Sequence, residues 1–309
     1  AFASGLAACA LVACTGAGAT EMVDYFADNG FGNPISTLQH PGAEYHNGVT
    51  YIAYQGPGED PFVCAYDHAT RQWSGPVKAG ASLLGKRAMA HRRDDVDNHG
   101  RPALLVDARG YIHLAFGGHG GYPKFGLNRF GTWGAGKQTH VVSKRPEDIS
   151  AWRVLDNISP FGTYSQFVEM PDGDIYLFYR HGSHQSDWVY QKSTDGGRAF
   201  APPVPVLKHT VQPDDPNLHH TWYAWFGKGK GDSVAACYVY HPCKTRGHTN
   251  ARRNGYYMQM DCRDDSWEDV RGNPLPVPLT KEAADARTLV CDSGGARSKR
   301  GTCRVDHNG

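Results

Sequence analysis

Residues 94–120 read DDVDNHGRPALLVDARGYIHLAFGGHG, and this stretch predicts two β-strands joined by a hairpin. The apolar run 103–106 is the first strand and the alternating run 111–116 is the second, with Arg109-Gly110 as a two-residue turn between them. His99 precedes the first strand and His119 follows the second. Because a hairpin brings the start of one strand beside the end of the other, we expect the two imidazoles to lie close together.

A second unit, residues 162–180, repeats this pattern as GTYSQFVEMPDGDIYLFYR. Tyr164 takes the position of His99 before a strand, and Arg180 takes a position close to that of His119 after the next strand. Two histidines, a tyrosine and an arginine therefore recur at equivalent places in successive repeats. This recurrence predicts that the four side chains converge on one site.

The composition indicates an all-β protein. The 309 residues include 37 glycines and 19 prolines, which is typical of many short strands joined by turns. Strand-like cores recur at 49–54, 111–116, 174–179 and 233–240, at a spacing of roughly 60 residues. A repeat of this length that holds about four strands is typical of a β-propeller blade.

The sequence predicts one propeller domain over residues 20–309, and we expect this domain to be incomplete at its C-terminus. The last residues, 305–309, read VDHNG and resemble VDNHG at 96–100, as if another blade began there. About five units of this period fit in the chain, whereas closed propellers commonly have about six to eight blades.

Residues 193–200, STDGGRAF, fit the Asp-box pattern Ser-x-Asp-x-Gly-x-x-aromatic of sialidase-type propellers. Asp195 and the two glycines after it can close a tight hairpin through side-chain-to-backbone hydrogen bonds and positive φ angles. We therefore interpret the Asp-box as architectural rather than catalytic.

The N-terminal residues 1–19 are apolar, rich in small residues and uncharged, which predicts the remnant of a secretory signal. Residues 11–14, LVAC, also fit a lipoprotein cleavage box, in which Cys14 would carry a lipid. We expect a secreted protein, with a lipid anchor at Cys14 as the alternative. No later segment predicts a transmembrane helix.

The charge balance gives no sign of a strongly charged partner. The chain has 32 basic and 31 acidic side chains, so its formal charge is +1. Nucleic-acid binding and attachment to an anionic membrane are therefore not indicated, and any affinity for an acidic partner must come from a local group of residues. We expect the protein to be a monomer.

The residue types of the predicted site are complementary. An imidazole can take up a proton, a phenol can donate or accept one, and a guanidinium can hold a carboxylate through two hydrogen bonds. This set suits proton abstraction next to a carboxylate, which is the difficult step in β-elimination from a uronic acid. Arg180 would neutralise the carboxylate. Either His99 or Tyr164 would remove the proton, and the other would protonate the leaving oxygen.

These residues resemble the polysaccharide lyases with a seven-bladed propeller, especially ulvan lyases and the related rhamnose-glucuronate lyases that act on gum arabic. The resemblance rests on DNHGRPALLV (97–106), FGGHG (116–120), TYSQ (163–166), YLFYR (176–180) and EYHNGVTYIAYQG (44–56). It implies a seven-bladed propeller in the full protein and an exported enzyme that cleaves an acidic, uronate-containing polysaccharide by β-elimination. It also implies that His99, His119, Tyr164 and Arg180 form the catalytic set.

One short stretch departs from the pattern of this family. The family's order Asp-His-Asn reads Asp97-Asn98-His99 here. On a strand, a displacement of one residue would turn the histidine to the opposite face.

Further candidates concern substrate and metal binding. Arg246, His46 and Trp222 are candidate substrate contacts. We expect no organic cofactor, and the resemblance implies that a structural metal ion, zinc or calcium, could be present. Cys243, His248 and Cys262 are its candidate ligands, although their spacing matches no standard zinc signature. The alternative is that the eight cysteines of an exported protein form disulfides, with Cys291 and Cys303 as a local loop staple.

Two other functions compete with the lyase. The Asp-box is compatible with a sialidase-like glycoside hydrolase, which would need a carboxylic acid and a Tyr-Glu nucleophile pair. A non-catalytic sugar-binding propeller would instead use Trp222, Tyr223 and Trp225 as stacking platforms.

Overall fold

The computed structural model describes residues 30, 38–85, 96–245, 249 and 251–293. These residues form an all-β structure with 18 strands and one short helix. The leader predicted at 1–19, Cys14 and Cys303 lie outside the described residues, as do Arg246 and His248.

The strands form four antiparallel sheets in which neighbours along the chain are neighbours in the sheet, except that β18 pairs with β16. Sheet 1 contains β1 Ala43–His46, β2 Val49–Gln55, β3 Pro61–Asp67 and β4 Gln72–Lys78. Sheet 2 contains β5 Ala103–Val106, β6 Ile112–His119, β7 Ala135–Ser143 and β8 Trp152–Leu155. Sheet 3 contains β9 Thr163–Glu169, β10 Ile175–Arg180, β11 Trp188–Ser193 and β12 Val204–Leu207. Sheet 4 contains β13 Thr210–Gln212, β14 Asp215–Lys228, β15 Ser233–Lys244, β16 Arg253–Asp261, β17 Ser266–Glu268 and β18 Leu289–Cys291.

The strand cores predicted from sequence are all strands. They correspond to β2, β6, β10 and β15. The described residues contain four sheets, whereas about five units were expected from the repeat length. The further unit that was expected to begin at 305–309 lies outside the described residues.

The sheets pack face to face in chain order, and each contact is a separate apolar core. One core lies between sheets 1 and 2, a second between sheets 2 and 3, and a third between sheets 3 and 4. Strand β5 serves two cores at once, because Leu104 faces sheet 1 and its neighbour Leu105 faces sheet 3. All four residues of β5 are therefore buried, which explains a continuous apolar run where alternation would otherwise be expected.

The turn between β5 and β6 has three residues, not the two that the sequence predicted. The amide of Asp107 donates to the carbonyl of Tyr111, and Gly110 has a φ of 84°. The Asp107 carboxylate accepts hydrogen bonds from the amides of Arg109 and Tyr111 and closes the loop from inside. A side chain that spans the loop thus stabilises a longer turn than the Arg-Gly pair alone indicates.

The Asp-box has the architectural role expected of it. Asp195 Oδ1 accepts hydrogen bonds from the amides of Arg198 and Ala199, both at 3.0 Å. Gly196 and Gly197 have φ values of 69° and 75°, which side chains rarely allow. The Asp195 carboxylate is therefore occupied by the backbone of its own hairpin.

The one helix of the described residues, α1 Lys281–Arg287, begins after Thr280. The Thr280 hydroxyl accepts a hydrogen bond from the amide of Ala283, which caps the helix. Across the parts of the chain that the structure describes, no helix has the length and apolar character needed to cross a membrane.

Candidate active site

The four residues predicted to share a site lie at one end of sheets 2 and 3. His99 lies in a 3-10 turn that leads into β5, and His119 is the last residue of β6. Tyr164 is the second residue of β9, and Arg180 is the last residue of β10. Because β9 packs against both β5 and β6, the two pairs meet.

The four side chains form one contiguous cluster. The rings of His99 and His119 are stacked, with centroids 3.7 Å apart and planes 7° from parallel. The Tyr164 ring centroid is 5.2 Å from that of His99, and the Arg180 guanidinium carbon is 4.9 Å from the Tyr164 centroid. These separations are within the roughly 10 Å that contact with one bound sugar requires.

Asp97 holds the two histidines in this arrangement. Its Oδ1 accepts a hydrogen bond from Nδ1 of His99 at 2.6 Å, and its Oδ2 accepts one from Nδ1 of His119 at 2.7 Å. Since a carboxylate only accepts, both rings carry a proton on Nδ1. In their neutral forms both rings therefore present an unprotonated Nε2, the atom that can act as a base.

The electrostatics of this trio favour an ionised Asp97 and a neutral His99. Burial alone would raise the pKa of Asp97, but the hydrogen bonds from His119 and His99 outweigh it and hold that pKa well below its usual range. Burial lowers the pKa of His99, and this effect outweighs the opposing hydrogen bond to Asp97. The two side chains are still 28% and 31% exposed, so a ligand can reach them.

Because His99 lies in a 3-10 turn and not on a strand, the order Asp97-Asn98-His99 does not turn its side chain away from the site. Asp97 precedes the turn and accepts the amide of His99 with the same oxygen that accepts its ring nitrogen. The strict alternation of a strand does not apply in such a turn. His99 therefore faces Asp97 and His119 in this chain.

The buried Glu59 holds the backbone of Asp97 through a hydrogen bond. Glu59 is 3% exposed, and its Oε1 accepts the amide of Asp97 at 3.1 Å. Gln55 donates to the carbonyl of Asp97 at 3.0 Å and also contacts the Glu59 carboxyl. Burial raises the pKa of Glu59 to about 7, although the hydrogen bond from the Asp97 amide opposes the shift. Sequence reasoning missed Asp97 and Glu59 as site residues.

Arg180 is buried and incompletely bonded. It is 1% exposed, and its Nε donates to the carbonyl of Gly182 at 3.4 Å. Its Nη2 is buried and has no hydrogen-bond partner among the residues that the structure describes. The guanidinium lies 4.9 Å from the Tyr164 ring and 5.6 Å from the Tyr223 ring, so aromatic faces replace the water it has lost. A buried cation with a spare donor is suited to an anionic group of a ligand.

Tyr164 is held in a strained backbone conformation. Its φ is 63°, which is uncommon for a bulky side chain and costs on the order of 1 to 3 kcal/mol. Its ring stacks on Trp188, with centroids 6.2 Å apart. Burial raises the pKa of Tyr164, and the neighbouring Tyr223 hydroxyl adds to the rise. The phenol therefore stays protonated at neutral pH and can donate a proton.

Tyr223 and Arg252 extend the cluster beside Tyr164 and Arg180. The guanidinium carbon of Arg252 lies 4.0 Å from the centroid of the Tyr223 ring. Arg252 Nη1 is 2.7 Å from Nδ1 of His241 and donates to the carbonyl of Ala251. The sequence predicted Tyr223 only as a stacking platform of a sugar-binding propeller. The sequence did not predict their contact, because Arg252 lies nearly 30 residues after Tyr223.

Two of the proposed substrate contacts lie elsewhere. Trp222 is fully buried in the core between sheets 3 and 4, where its indole nitrogen donates to Lys208. Because side chains alternate along β14, its neighbour Tyr223 faces the site instead. His46 ends β1 and lies 3.2 Å from Glu147, whose amide donates to Gly110 in the β5–β6 turn. That turn is at the opposite end of the strands from His99.

The predicted metal ligands are not together either. Cys243 lies near the end of β15, whereas the Cys262 amide donates to Asp232, which precedes the start of β15. About ten residues of strand separate them, or roughly 33 Å, whereas Zn–S bonds are about 2.3 Å long. His248 lies outside the described residues. The expected site at Cys243 and Cys262 is therefore wrong.

Of the described cysteines, Cys237, Cys243, Cys262 and Cys291 are free thiols. The predicted partner of Cys291 lies outside the described residues. The group of potential metal ligands found in the described part of the chain is Asp97, His99 and His119, each with one ligand atom within 4.8 Å of the others. An ion there would have to replace hydrogen bonds that already join the carboxylate to both rings.

Comparison with known proteins supplies a family and relatives. A family model described as "BNR repeat-containing family member" matches residues 49–309. An ulvan lyase from Nonlabens ulvanivorans is 50% identical over 298 residues, which cover 93% of this chain and 62% of the relative. An ulvan lyase from Alteromonas sp. (strain LOR) is 49% identical over 294 residues, with coverages of 93% and 60%. The chain thus spans about three fifths of the length of these curated relatives.

Two solved structures have a fold similar to that of this chain. The structure of a PL25 ulvan lyase bound to GlcA(1-4)Rha3S matches this chain with a TM-score of 0.83 and 49% sequence identity. The match covers 87% of this chain and 62% of the chain of that structure. The polysaccharide lyase Uly1 has a TM-score of 0.61 at 14% identity, which is a likeness of fold alone.

Proposed function

Because this chain belongs to the BNR repeat-containing family, we propose that it is part of a polysaccharide lyase that cleaves a uronate-containing, ulvan-like polysaccharide by β-elimination. The observation that carries the proposal is the buried Arg180 guanidinium, with an unpartnered Nη2, beside a stacked histidine pair and a protonated tyrosine. The similarity to ulvan lyases over more than nine tenths of the chain supports it.

In the proposed reaction Arg180 binds the carboxylate of the uronic acid. Removing the proton from C5 places negative charge on this carboxylate, so a fixed cation stabilises the transition state more than the ground state. The guanidinium is already desolvated and packed between Tyr164 and Tyr223, so it needs little reorganisation when the charge develops.

His99 is the proposed base and Tyr164 the proposed acid. Nε2 of His99 takes the proton from C5, the C5–H electron pair forms the C4–C5 double bond, and the C4–O bond breaks. The Tyr164 hydroxyl gives its proton to the departing oxygen, so protons and electrons balance. The lowered pKa of His99 keeps it neutral, and the raised pKa of Tyr164 keeps it protonated, which supports this division of roles.

His119 and Asp97 are proposed to orient the base. Asp97 fixes the Nδ1–H tautomer of both rings, and His119 stacks on His99. A positive charge that forms on His99 during the reaction is stabilised by the ionised Asp97.

The substrate is proposed from the relatives. The bound ligand of the solved PL25 ulvan lyase contains GlcA and Rha3S, so we propose that this chain acts on glucuronate linked to a sulfated rhamnose. Hydrolysis is less suited to the site. Asp97 is the one carboxylate within hydrogen-bonding reach of the two histidines in the described residues, and both of its oxygens are occupied.

We also propose that the four sheets are blades of a propeller that has seven in the full protein. Four blades of seven would be a share close to the 60–62% of the relatives' length that the chain spans. Export, with or without a lipid at Cys14, is proposed from the composition of residues 1–19.

The test measures product chemistry in the full-length protein. Wild type should generate the ultraviolet absorbance of a C4–C5 unsaturated uronate from ulvan. New reducing ends without that absorbance would indicate hydrolysis and contradict the proposal. Arg180→Ala should lower kcat/KM on native ulvan by about 10²- to 10³-fold, as for loss of a preorganised charge-stabilising donor. Arg180→Lys should lose less, because a point charge keeps part of the neutralisation.

The methyl ester of the polymer is the matched substrate, since it carries no charge for Arg180 to neutralise. The ratio of wild-type to Arg180→Ala activity should be much smaller on the ester than on native ulvan. Equal ratios on both polymers would show that Arg180 does not neutralise the carboxylate.

A further inference from the structure

A cavity lined by four cationic side chains lies between the outer part of sheet 2 and the Asp-box of sheet 3. Its volume is about 160 Å³. The cations are Arg109 from the β5–β6 turn, Lys144 after β7, Arg153 in β8 and Arg198 in the Asp-box. We propose that this cavity binds sulfate ester groups of the polysaccharide, outside the cleavage site. The proposal rests on the function proposed above for its ligand.

Three of the cations are available to a ligand. No ion pair joins Lys144, Arg153 or Arg198 to a carboxylate in the described residues, and no carboxylate lines the cavity. All three are exposed. The chain as a whole has a formal charge of +1, so this excess of positive charge is local. Unpaired cations that converge on one concavity are suited to an anion.

The fourth cation and the cavity floor are rigid. Arg109 donates to the Asp107 carboxylate at 2.6 Å and to the carbonyl of Gly196 at 2.9 Å. A Cβ on Gly196 would lie 1.9 Å from this guanidinium, and a Cβ on Gly197 would lie 2.7 Å from the His113 ring. The two Asp-box glycines therefore allow the hairpin to pack directly on Arg109 and His113. This gives the Asp-box a binding role in addition to its structural one.

The size of the cavity indicates a charged group rather than an enclosed sugar chain. Pockets that enclose a whole ligand commonly measure about 300 to 1,000 Å³. A sulfate ester on a chain that crosses the surface needs only a small concavity with several donors. A guanidinium fork and an ammonium both match its oxygens.

The cavity is distinct from the cleavage site. Arg109 and His113 lie at the turn end of the β5–β6 hairpin, and His119 lies at the other end of β6. Six residues of strand separate His113 from His119, or about 20 Å. A polymer long enough to occupy both places would bind more tightly than a short oligosaccharide that reaches only the cleavage site.

The first experiment measures anion binding without catalysis. Sodium sulfate should raise the Tm of wild type relative to sodium chloride at the same ionic strength. The rise should be smaller in the double variant Arg153→Ala/Arg198→Ala, because the general stabilisation by sulfate remains while the contribution of the site is lost. The matched control is Arg145→Ala, since Arg145 is exposed in the loop between β7 and β8 but is paired with Asp148. A sulfate response that is unchanged in the double variant would overturn the site.

The second experiment assigns the source of the sulfate. The Kd of native ulvan should rise about fivefold for each arginine removed, the loss expected for one exposed ion pair worth about 1 kcal/mol. The Kd of chemically desulfated ulvan should not change. An equal rise of the Kd for both polymers would overturn the assignment to sulfate esters of the polysaccharide. An unchanged Kd for both polymers would also overturn it and would leave a site for free anions.

The third measurement separates this inference from the proposed function. On a tetrasaccharide, kcat/KM of the double variant should equal that of wild type, because the short substrate does not reach the cavity. A protein that binds sulfate here but cleaves no polymer would contradict the lyase and leave the anion site standing. A protein that cleaves the polymer but shows no specific sulfate response would contradict the anion site and leave the proposed lyase function standing.

Discussion

The two ends of the β5–β6 hairpin carry the same two residue types, aspartate and histidine, in different environments. At the open end, Asp97 binds Nδ1 of both His99 and His119. At the turn end, Asp107 lies 3.5 Å from His113, and His113 Nδ1 is 3.0 Å from His140 Nε2. Each end is therefore an aspartate with two histidines.

The difference lies in which ring nitrogens remain available. His113 is 2% exposed and His140 is fully buried. His140 Nδ1 is also hydrogen-bonded to Asn157, so both of its nitrogens are occupied. Burial lowers the pKa of His140 to about 3, and the His113 ring adds to the shift. At the open end each ring has one nitrogen bonded to Asp97 and one left over. Residue type alone does not make a base, because access and a free lone pair are also needed.

The largest expected effect separates the two histidine pairs. His99→Ala should lower kcat by about 10²- to 10⁴-fold, because it removes the proposed base. His113→Ala should leave kcat within about threefold of wild type and should lower the free energy of unfolding by about 1 to 3 kcal/mol, since it leaves His140 with an unmet hydrogen bond in the core. Steady-state kinetics and denaturant unfolding of both variants measure the two quantities.

This comparison fails if the two variants behave alike. A His113→Ala protein that is folded and as inactive as His99→Ala would mean that the turn end takes part in the chemistry. A His99→Ala protein with normal kcat would transfer the base role to His119.

A second, smaller effect tests the aspartates. Asp97→Asn should lower kcat on the order of 10²-fold, because an amide can accept from only one ring and the other must change its tautomer. The hydrogen bond to Asp97 raises the pKa of His99. Its loss should therefore lower that pKa, and the acid limb of the kcat/KM profile should move to lower pH. A merely structural role for Asp97 would leave the limb in place.

Asp107→Asn is the matched control. It weakens the contact with the Arg109 guanidinium and with the loop amides, so we expect a stability loss of about 1 to 3 kcal/mol. Its pH profile should be that of wild type.

The smallest effect concerns stability at the turn end. Glu44 Oε2 accepts the amide of Val106 at 2.6 Å, and burial raises the pKa of Glu44 to about 7, with Glu169 adding to the rise. A raised pKa means that the folded protein favours the protonated carboxyl. The stabilisation is complete below the unfolded pKa of 4.5 and is lost as the pH rises through about 7.

Glu44→Gln should therefore stabilise the protein by about 1 to 3 kcal/mol above pH 7 and should flatten the dependence of Tm on pH between 4.5 and 7. Its amide oxygen can still accept from Val106. Asp172→Asn, on an exposed turn, should change neither. An unchanged slope in Glu44→Gln would show that Glu44 titrates at its ordinary pKa in the folded protein.

Several residues were placed correctly by local pattern. A hairpin joins its strand ends regardless of the rest of the fold, so His99 and His119 could be paired from sequence, and the repeat extended this to Tyr164 and Arg180. The Asp-box was also local, because its hydrogen bonds lie within seven residues.

The errors came from contacts between distant segments. Trp222 and Tyr223 are adjacent aromatic residues, and nothing local says which of them faces the core. Cys243 and Cys262 are close in sequence, but β15 and β16 run antiparallel and their register places the two thiols at opposite ends. His46 lies in a stretch that resembles the lyases, yet it is at the turn end of the sheets.

The sequence by itself determined the all-β class, the repeat of antiparallel strands and the four residues that meet at the open end. Strand periodicity and turn chemistry act over a few residues, so they are readable in the chain. Only the tertiary structure decided that Asp97 bonds both histidines, that Arg252 reaches Tyr223, and that Arg153 and Arg198 line one cavity. These contacts depend on how separate sheets pack, and burial, pKa and access follow from that packing rather than from the residues alone.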